Sequence, residues 1–212
     1  MNLFFDLDGT LTDPKDGIVR SINFALSKFD LPVFEPSSLE RFIGPPLMDT
    51  FQVLLDTDDR ATLMQAVTWY RERYVVKGYL ENHVYEGIPE LLSSLQPNHR
   101  LFVATSKRQD IAANVLTHFR LASFFTAIYG CDVDLSKADL LKQILHEQSI
   151  NPPGCIMIGD RKHDIEAARA NDISSMAVLW GYGSHEELIS ADYIASTPSE
   201  VSSLIYSTLS AR

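Results

Sequence analysis

The second part of the chain alternates short apolar runs with helical stretches, and this alternation restricts the possible folds most. Three runs have the length of buried strands: "RLFVATS" at 100–106, "CIMIGD" at 155–160 and "SSMAVLW" at 174–180. Apolar residues at helical spacing lie around and between them, at 88–95, 110–119, 137–148 and 164–170. Strands that alternate with helices predict a parallel sheet with helices packed on it.

A fourth apolar run, at residues 3–7, predicts another buried strand, and "DLDGT" begins within it. Residues 13 to about 83 have helical spacing and no strand signal. We therefore predict the α/β class, with a Rossmann-like parallel-sheet core of residues 1–13 and 84–212 and an inserted α-helical domain of residues 14–83. Ligands of open α/β sheets bind beyond the carboxyl ends of the strands. An insertion that follows the first strand is expected to cover that edge.

Polar side chains follow each predicted core strand. They are Asp6 and Asp8 after the first, Thr105, Ser106 and Lys107 after the second, and Asp160 and Asp164 after the third, with Lys137 at a helix start between the last two. In a parallel sheet these residues converge on one edge. Carboxylates that meet there repel one another unless a cation joins them. A hard divalent cation such as Mg²⁺, which prefers oxygen ligands, satisfies this requirement.

Each of these residues also has a purely structural interpretation. Asp6 and Asp8 fit a strand-end turn with Asp-Gly punctuation, and Asp164 fits a helix N-cap. Ser106 is an alternative to Thr105 as the hydroxyl of the site. Lys107 and, less so, Lys142 are alternatives to Lys137 as its cation. The basic residues at 161–163 predict a solvated, substrate-facing loop, and "GYG" at 181–183 predicts a loop.

Four features follow one another along the chain: "DLDGT" at 6–10, a later strand-end Thr or Ser, a Lys, and "GDRKHD" at 159–164. In this order they resemble the motifs of the haloacid dehalogenase-like superfamily. The insertion resembles the helical cap domain of that superfamily. "FIGPPL" at 42–47 and "YEGIPELL" at 85–92 are similar to the phosphoglycolate-phosphatase-like branch. The resemblance implies the α/β core with a cap and a Mg²⁺-dependent phosphatase activity.

The resemblance also implies a role for each acidic residue. Asp6 would be the nucleophile that forms an aspartyl-phosphate, and Asp8 would be the general acid and then the general base. The Asp6 and Asp160 carboxylates and the main-chain carbonyl of Asp8 would bind Mg²⁺. Asp164 would hold a metal-bound water or orient Lys137.

The remaining site residues would bind the phosphate ester. By the same resemblance, Thr105 would donate hydrogen bonds to the phosphoryl oxygens, with Ser106 beside it, and Lys137 would neutralise charge between Asp6 and the phosphate. The turn of the insertion that contains Gly44, Pro45 and Pro46 is stiff, and its backbone can approach a substrate closely. Gly44 is therefore a candidate substrate-binding residue.

The expected function is hydrolysis of a small-metabolite phosphomonoester by a phosphoglycolate-phosphatase-like or 5′-nucleotidase-like enzyme. Relatives that dehalogenate carbon substrates lack an acid at the position of Asp8, so its presence favours phosphate esters. Two alternatives remain at this point. A phosphosugar mutase shares the core, and a receiver-like signalling module also combines an acidic pair, a phosphorylated Asp, a hydroxyl and a Lys.

The composition limits the possible partners and locations. The 212 residues carry a net charge of −10, which argues against nucleic-acid binding through a basic surface. Cys131 and Cys155 are the only cysteines, which favours reduced, packed side chains in a cytoplasmic protein. The sequence shows no signal segment and no run long enough to span a membrane. We expect a monomer or homodimer whose partner is a small phosphorylated metabolite.

Overall fold

The computed structural model describes residues 1–131 and 135–210, without the side chains of 208–210. The strands are β1 Asn2–Phe5, β2 Thr12–Asp13, β3 His83–Val84, β4 Arg100–Thr105, β5 Ala127–Gly130, β6 Cys155–Gly159, β7 Ser174–Val178 and β8 Tyr193–Ala195. The α-helices are α1 Lys15–Ser27, α2 Pro36–Leu39, α3 Leu47–Leu55, α4 Arg60–Tyr74, α5 Ile88–Leu95, α6 Gln109–His118, α7 Lys137–Glu147, α8 Lys162–Ala170, α9 His185–Leu188 and α10 Pro198–Ser210. Short 3₁₀ turns lie at Glu40–Phe42, Gly78–Leu80 and Ala122–Phe124.

The chain forms two compact units. The first comprises residues 1–13 and 84–212, and within its described part six strands form a parallel sheet in the order β5-β4-β1-β6-β7-β8. β1 therefore lies between β4 and β6, and Phe5 pairs with Val103 on one side and Ile158 on the other. Flanking helices bury both faces of such a sheet, which explains why its strands are almost entirely apolar.

The core of this unit lies between the central strands and helices α7 and α8. Phe4, Phe102 and Met157, one from each central strand, are fully buried in one cluster. Leu141 and Ile144 of α7 belong to the same cluster, and their spacing places them on one helix face. This packing fixes α7 against the sheet and so determines where its first residue, Lys137, lies.

The second unit, residues 14–83, is helical. Helices α1 and α4 pack together, and the rings of Phe29 and Trp69 meet edge to face with centroids 4.9 Å apart. The buried Tyr70 and Tyr74 stack on each other along α4. The aromatic residues of the insertion thus form its own core.

The α/β class with a parallel-sheet core is confirmed, and the four predicted strands correspond to β1, β4, β6 and β7. Two edge strands, β5 and β8, were not predicted, because they have only four and three residues and neither is buried along its whole length. None of the helices in the described part of the chain is both long enough and apolar enough to cross a membrane.

Candidate active site

The carboxyl ends of three neighbouring strands bring the predicted site residues to one edge of the sheet. Asp6 follows directly after β1, Thr105 is the last residue of β4, and Asp160 follows directly after β6. Because β4, β1 and β6 are adjacent and parallel, these ends lie side by side. The sheet itself therefore produces the convergence that the sequence predicts.

A buried acidic cluster occupies this edge. Asp6, Asp160 and Asp164 each offer a carboxylate oxygen, and these oxygens lie within 4.8 Å of one another. The Lys137 ammonium bridges two of them, at 2.9 Å from Asp6 Oδ2 and 2.5 Å from Asp164 Oδ1. All four side chains are almost inaccessible to solvent. The lysine that lies among Asp6, Asp160 and Asp164 is therefore Lys137.

The cluster is held by hydrogen bonds from neighbouring backbone groups. Asp6 Oδ1 accepts from the Leu7 N–H at 2.7 Å, and Asp164 Oδ2 accepts from the Arg161 N–H at 3.0 Å. These bonds fix one carboxylate that follows β1 and one in the first turn of α8. The second carboxylate oxygen of both side chains faces Lys137.

Glycine at position 9 makes room for Asp160. Gly9 has a φ of +84°, which non-glycine residues rarely adopt, and a Cβ there would lie 2.2 Å from Asp160 Oδ2. The next residue, Thr10, donates its hydroxyl to Asp160 Oδ1 at 3.1 Å. The "DLDGT" segment thus supplies both the space and one hydrogen bond for the carboxylate that follows β6.

The electrostatics of the cluster favour a second cation in addition to the Lys137 ammonium. Burial, reinforced by Asp6 and Asp164, raises the pKa of Asp160 to about 8. Burial alone would lower the pKa of Lys137, but Asp164 and Asp6 outweigh it and hold that pKa above its usual value, so Lys137 stays charged. Fully ionised, the three carboxyl groups would outnumber the single ammonium, so a further cation is needed to keep Asp160 charged at neutral pH. This all-oxygen donor set fits a hard divalent cation such as Mg²⁺.

Asp8 lies outside this cluster and has a different partner. Its Oδ2 contacts the Lys107 ammonium at 2.5 Å, and its buried Oδ1 accepts no hydrogen bond from the described residues. Burial raises the pKa of Asp8, and Lys107 opposes this effect. The sequence placed Lys107 at the site only as an alternative to Lys137, and strand order could not indicate which carboxylate each lysine would contact. Metal binding by the main-chain carbonyl of Asp8 stays a prediction.

The proposed phosphate-binding residues occupy three different environments. Thr105 is buried, and its Oγ1 accepts the Lys107 N–H at 3.3 Å, whereas Ser106 is half-buried. Both lie at the edge that holds Asp6. Gly44 lies in the helical unit, where it has a φ of +102°. The roles of these three residues stay predictions.

The prediction of a solvated loop at 161–163 is wrong for the loop, because Lys162 and His163 belong to α8, and for Arg161, which is buried, whereas Lys162 is exposed as predicted. Arg161 is 9% exposed, and its Nε donates to Glu187 Oε1 at 2.9 Å. The Lys162 N–H donates to the same oxygen at 2.7 Å, and Lys162 and His163 form the first turn of α8. Glu187, from the distant helix α9, neutralises Arg161 and satisfies a free amide of α8. This long-range contact has no local sequence signal.

Replacing Lys137 tests the charge balance of the cluster. In chelator, we expect Lys137→Met to lower the free energy of unfolding by about 3–5 kcal/mol, because buried Asp6 and Asp164 lose their counter-ion. Mg²⁺ should restore a large part of that loss. Denaturant titrations with and without Mg²⁺ measure both effects.

Lys142→Met is the matched control, because Lys142 lies exposed on the same helix. It should change stability little under either condition. Equal losses in the two variants, or a Lys137→Met loss that Mg²⁺ does not reduce, would contradict this account of the charges.

Comparison with known proteins agrees with this geometry. The family model described as "Haloacid dehalogenase-like hydrolase" matches residues 3–178. A 5′-nucleotidase of Pseudomonas aeruginosa is 43% identical over 191 residues, which cover 88% of this chain and 86% of that protein. A tyrosine-protein kinase PtkA of Mycobacterium tuberculosis is 36% identical over 203 residues, which cover 94% of this chain and 67% of that protein.

A relative of lower identity and a solved structure are also similar to this chain. A phosphoglycolate phosphatase of Aquifex aeolicus is 27% identical over 215 residues, which cover 96% of this chain and 95% of that protein. The crystal structure of a predicted phosphatase from Clostridium acetobutylicum is 40% identical, with a TM-score of 0.91 over 99% of this chain and 98% of that one.

Proposed function

Because this chain belongs to the haloacid dehalogenase-like hydrolase family and is a phosphatase acting on phosphoric monoesters, we propose that it is Mg²⁺-dependent and works through an aspartyl-phosphate on Asp6. The preferred substrate class is a nucleoside 5′-monophosphate, with phosphoglycolate-like small metabolites next. The name of the 43% identical relative supports this order. The enzymatic assignment leaves no reason to retain the receiver-like alternative.

The observation that carries the proposal is the buried cluster of Asp6, Asp160 and Asp164, in which Lys137 bridges Asp6 and Asp164. A cluster needed only for stability would not keep three buried carboxylates within 4.8 Å of one another, because apolar residues of similar size would cost less. Phosphoryl transfer, in contrast, depends on positioned cations and a fixed nucleophile. Bound Mg²⁺ would be held by Asp6 and Asp160 and would supply charge stabilisation for the phosphoryl group.

The first half-reaction assigns roles to Asp6 and Asp8. A carboxylate oxygen of Asp6 attacks phosphorus, the ester P–O bond breaks, and the leaving oxygen takes a proton from Asp8. Burial raises the pKa of Asp8, which favours its protonated form in this step. Lys137, 2.9 Å from Asp6, holds the attacking carboxylate in place. In this proposal the hydroxyl of Thr105, the last residue of β4, binds a phosphoryl oxygen.

The second half-reaction returns the enzyme to its starting state. Asp8, now ionised, takes a proton from a water molecule that attacks phosphorus. The bond between phosphorus and Asp6 breaks, inorganic phosphate leaves, and both carboxyl groups are restored. Lys107 pairs with the ionised Asp8 at 2.5 Å and so stabilises it between the two steps.

Steady-state kinetics on a panel of phosphate esters tests the proposal. The purified chain should release inorganic phosphate from nucleoside 5′-monophosphates with Mg²⁺, and chelator should stop the reaction. Each mole of alcohol product should be matched by one mole of inorganic phosphate. If less inorganic phosphate than alcohol is released, and the remaining phosphate is found on another acceptor, the enzyme is a transferase. That result would contradict the proposed hydrolysis.

The same panel distinguishes a phosphosugar mutase. A mutase would need a sugar bisphosphate for activity and would convert one phosphosugar into its isomer without net phosphate release. The proposed phosphatase should require no bisphosphate. A strict requirement for a sugar bisphosphate would contradict the phosphatase proposal and indicate a mutase.

We also propose that residues 14–83 act as a substrate-selecting cap and that the turn at Gly44 contributes to this selection. Gly44→Trp should change the ranking of kcat/KM among metabolites, while an aryl phosphate that depends little on the cap loses less. The control is Gly44→Ala, which imposes the same strain at a φ of +102° without the bulk. One common reduction factor for all substrates in Gly44→Trp would exclude selection at this turn.

A further inference from the structure

The loop that follows β7, residues 179–184, contacts the metal-binding carboxylate of the proposed site. The Tyr182 N–H donates to Asp160 Oδ2 at 2.8 Å. The Trp180 indole N–H donates to the carbonyl of Thr10 at 3.0 Å, and the Thr10 hydroxyl donates to Asp160 Oδ1. Both oxygens of Asp160 are therefore held by this loop or by a residue bonded to it. Groups that orient a ligand in this way strongly affect metal affinity.

The side chain of the same tyrosine reaches the two segments that connect the sheet to residues 14–83. The Tyr182 hydroxyl donates to Asp13 Oδ1, and Asp13 ends β2, where the chain leaves the first unit. A further hydrogen bond joins the phenols of Tyr182 and Tyr85, and Tyr85 follows β3, where the chain returns. The Tyr85 N–H in turn donates to the carbonyl of Leu11 at 3.2 Å.

The Tyr85 and Tyr182 phenols remain protonated and can keep these hydrogen bonds at neutral pH. Burial and the nearby Asp13 raise the pKa of both Tyr85 and Tyr182, so both keep their protons at neutral pH. Tyr182 is half-buried, which restricts the rotation of its ring. A displacement of its backbone N–H is therefore transmitted to its hydroxyl and from there to both connecting segments.

We propose that Tyr182 is a positioning residue that couples cation binding at Asp160 to the order of the connecting segments at residues 12–13 and 84–85. The inference rests on the proposed function, because it requires a divalent cation at Asp160. A cation draws the carboxylate towards itself, and the N–H···O bond draws Tyr182 with it. By thermodynamic reciprocity, a ligand that orders the connecting segments then tightens the cation site by the same factor.

Hydrogen exchange measured by mass spectrometry, with Mg²⁺ as the probe, tests this coupling without any use of activity. The informative amides are those of Thr12 and Tyr85, which lie in the two connecting segments and donate to the carbonyls of Leu7 and Leu11. Tyr182→Phe removes the hydroxyl and keeps the backbone N–H. Tyr206→Phe is the matched control, because it removes a tyrosine hydroxyl that donates to the Ser94 carbonyl in another part of the unit.

In the wild type and in Tyr206→Phe, Mg²⁺ should slow exchange of the two connecting segments by at least about fivefold. In Tyr182→Phe, Mg²⁺ should still slow exchange in the loop around Asp160 and have little effect on the connecting segments. A melting temperature near that of the wild type would confirm that the variant is folded.

Two results would overturn the inference. If Mg²⁺ protects the connecting segments equally in Tyr182→Phe and the wild type, the hydroxyl does not transmit the effect. If Mg²⁺ changes exchange nowhere in the wild type, including around Asp160, the proposed metal site fails and the inference fails with it. The two failures are distinguished by the response of the loop that contains Asp160.

Discussion

Asp6→Asn should abolish phosphatase activity, with kcat reduced at least about 10²-fold. The amide is nearly the same shape as the carboxylate and can still accept the Leu7 N–H, so the fold should persist. It cannot attack phosphorus, and it presents a neutral group to Lys137. The loss should therefore appear in kcat for every substrate, including reactive aryl phosphates, because all of them need the nucleophile.

Asp59→Asn provides the control for this substitution. Asp59 caps α4 through the Thr62 N–H, and Asn is an equally good N-cap residue. The control should retain wild-type activity and a wild-type melting temperature. Turnover by Asp6→Asn within a few-fold of the wild type would exclude attack by Asp6.

Asp160→Asn should raise the Mg²⁺ concentration for half-maximal activity at least about tenfold, because it removes a charged ligand. The same change should raise the melting temperature in chelator, since a buried carboxylate beside Asp6 and Asp164 is costly without a cation. Opposite effects on metal affinity and apo-protein stability are the signature of a functional charge. Kinetic titration with Mg²⁺ and thermal unfolding in chelator provide the two measurements.

A purely structural carboxylate would behave in the reverse manner. Asp160→Asn would then destabilise the protein under all conditions and leave the Mg²⁺ dependence unchanged. Asp192→Asn is a useful comparison, because Asp192 accepts hydrogen bonds from the backbone and hydroxyl of Ser175 outside the site. It should lower stability and leave the response to Mg²⁺ unaltered.

The central sheet and the acidic cluster could be predicted because both follow from local patterns. Apolar runs identify strands that are buried on both faces, and Asp6 and Asp160 follow those runs directly. Parallel pairing then brings the strand ends together. The edge strands are too short for such a pattern to identify them. Ala127–Gly130 has four residues, is half-buried throughout, and depends for its position on pairing with β4.

The supporting contacts of the site could not be predicted because they connect distant segments. Lys107 follows the end of β4 and Lys137 begins α7, yet one contacts Asp8 and the other contacts Asp6 and Asp164. Spacing along the chain contains no information about that choice. The same holds for Tyr182, which lies 22 residues from Asp160 and 169 residues from Asp13 in sequence. Its contacts with both depend on the path of the loop that follows β7.

Direct trapping of the phosphorylated enzyme tests the aspartyl-phosphate mechanism most directly. In Asp8→Asn, an aryl phosphate should still phosphorylate Asp6, because a good leaving group needs no acid, while hydrolysis slows because the base is missing. Acid quenching followed by borohydride reduction converts an acyl phosphate to an alcohol, so mass spectrometry should find homoserine at position 6. Two results would contradict the mechanism if the enzyme releases the aryl alcohol in a burst. One is an unmodified Asp6, and the other is modification at a different residue.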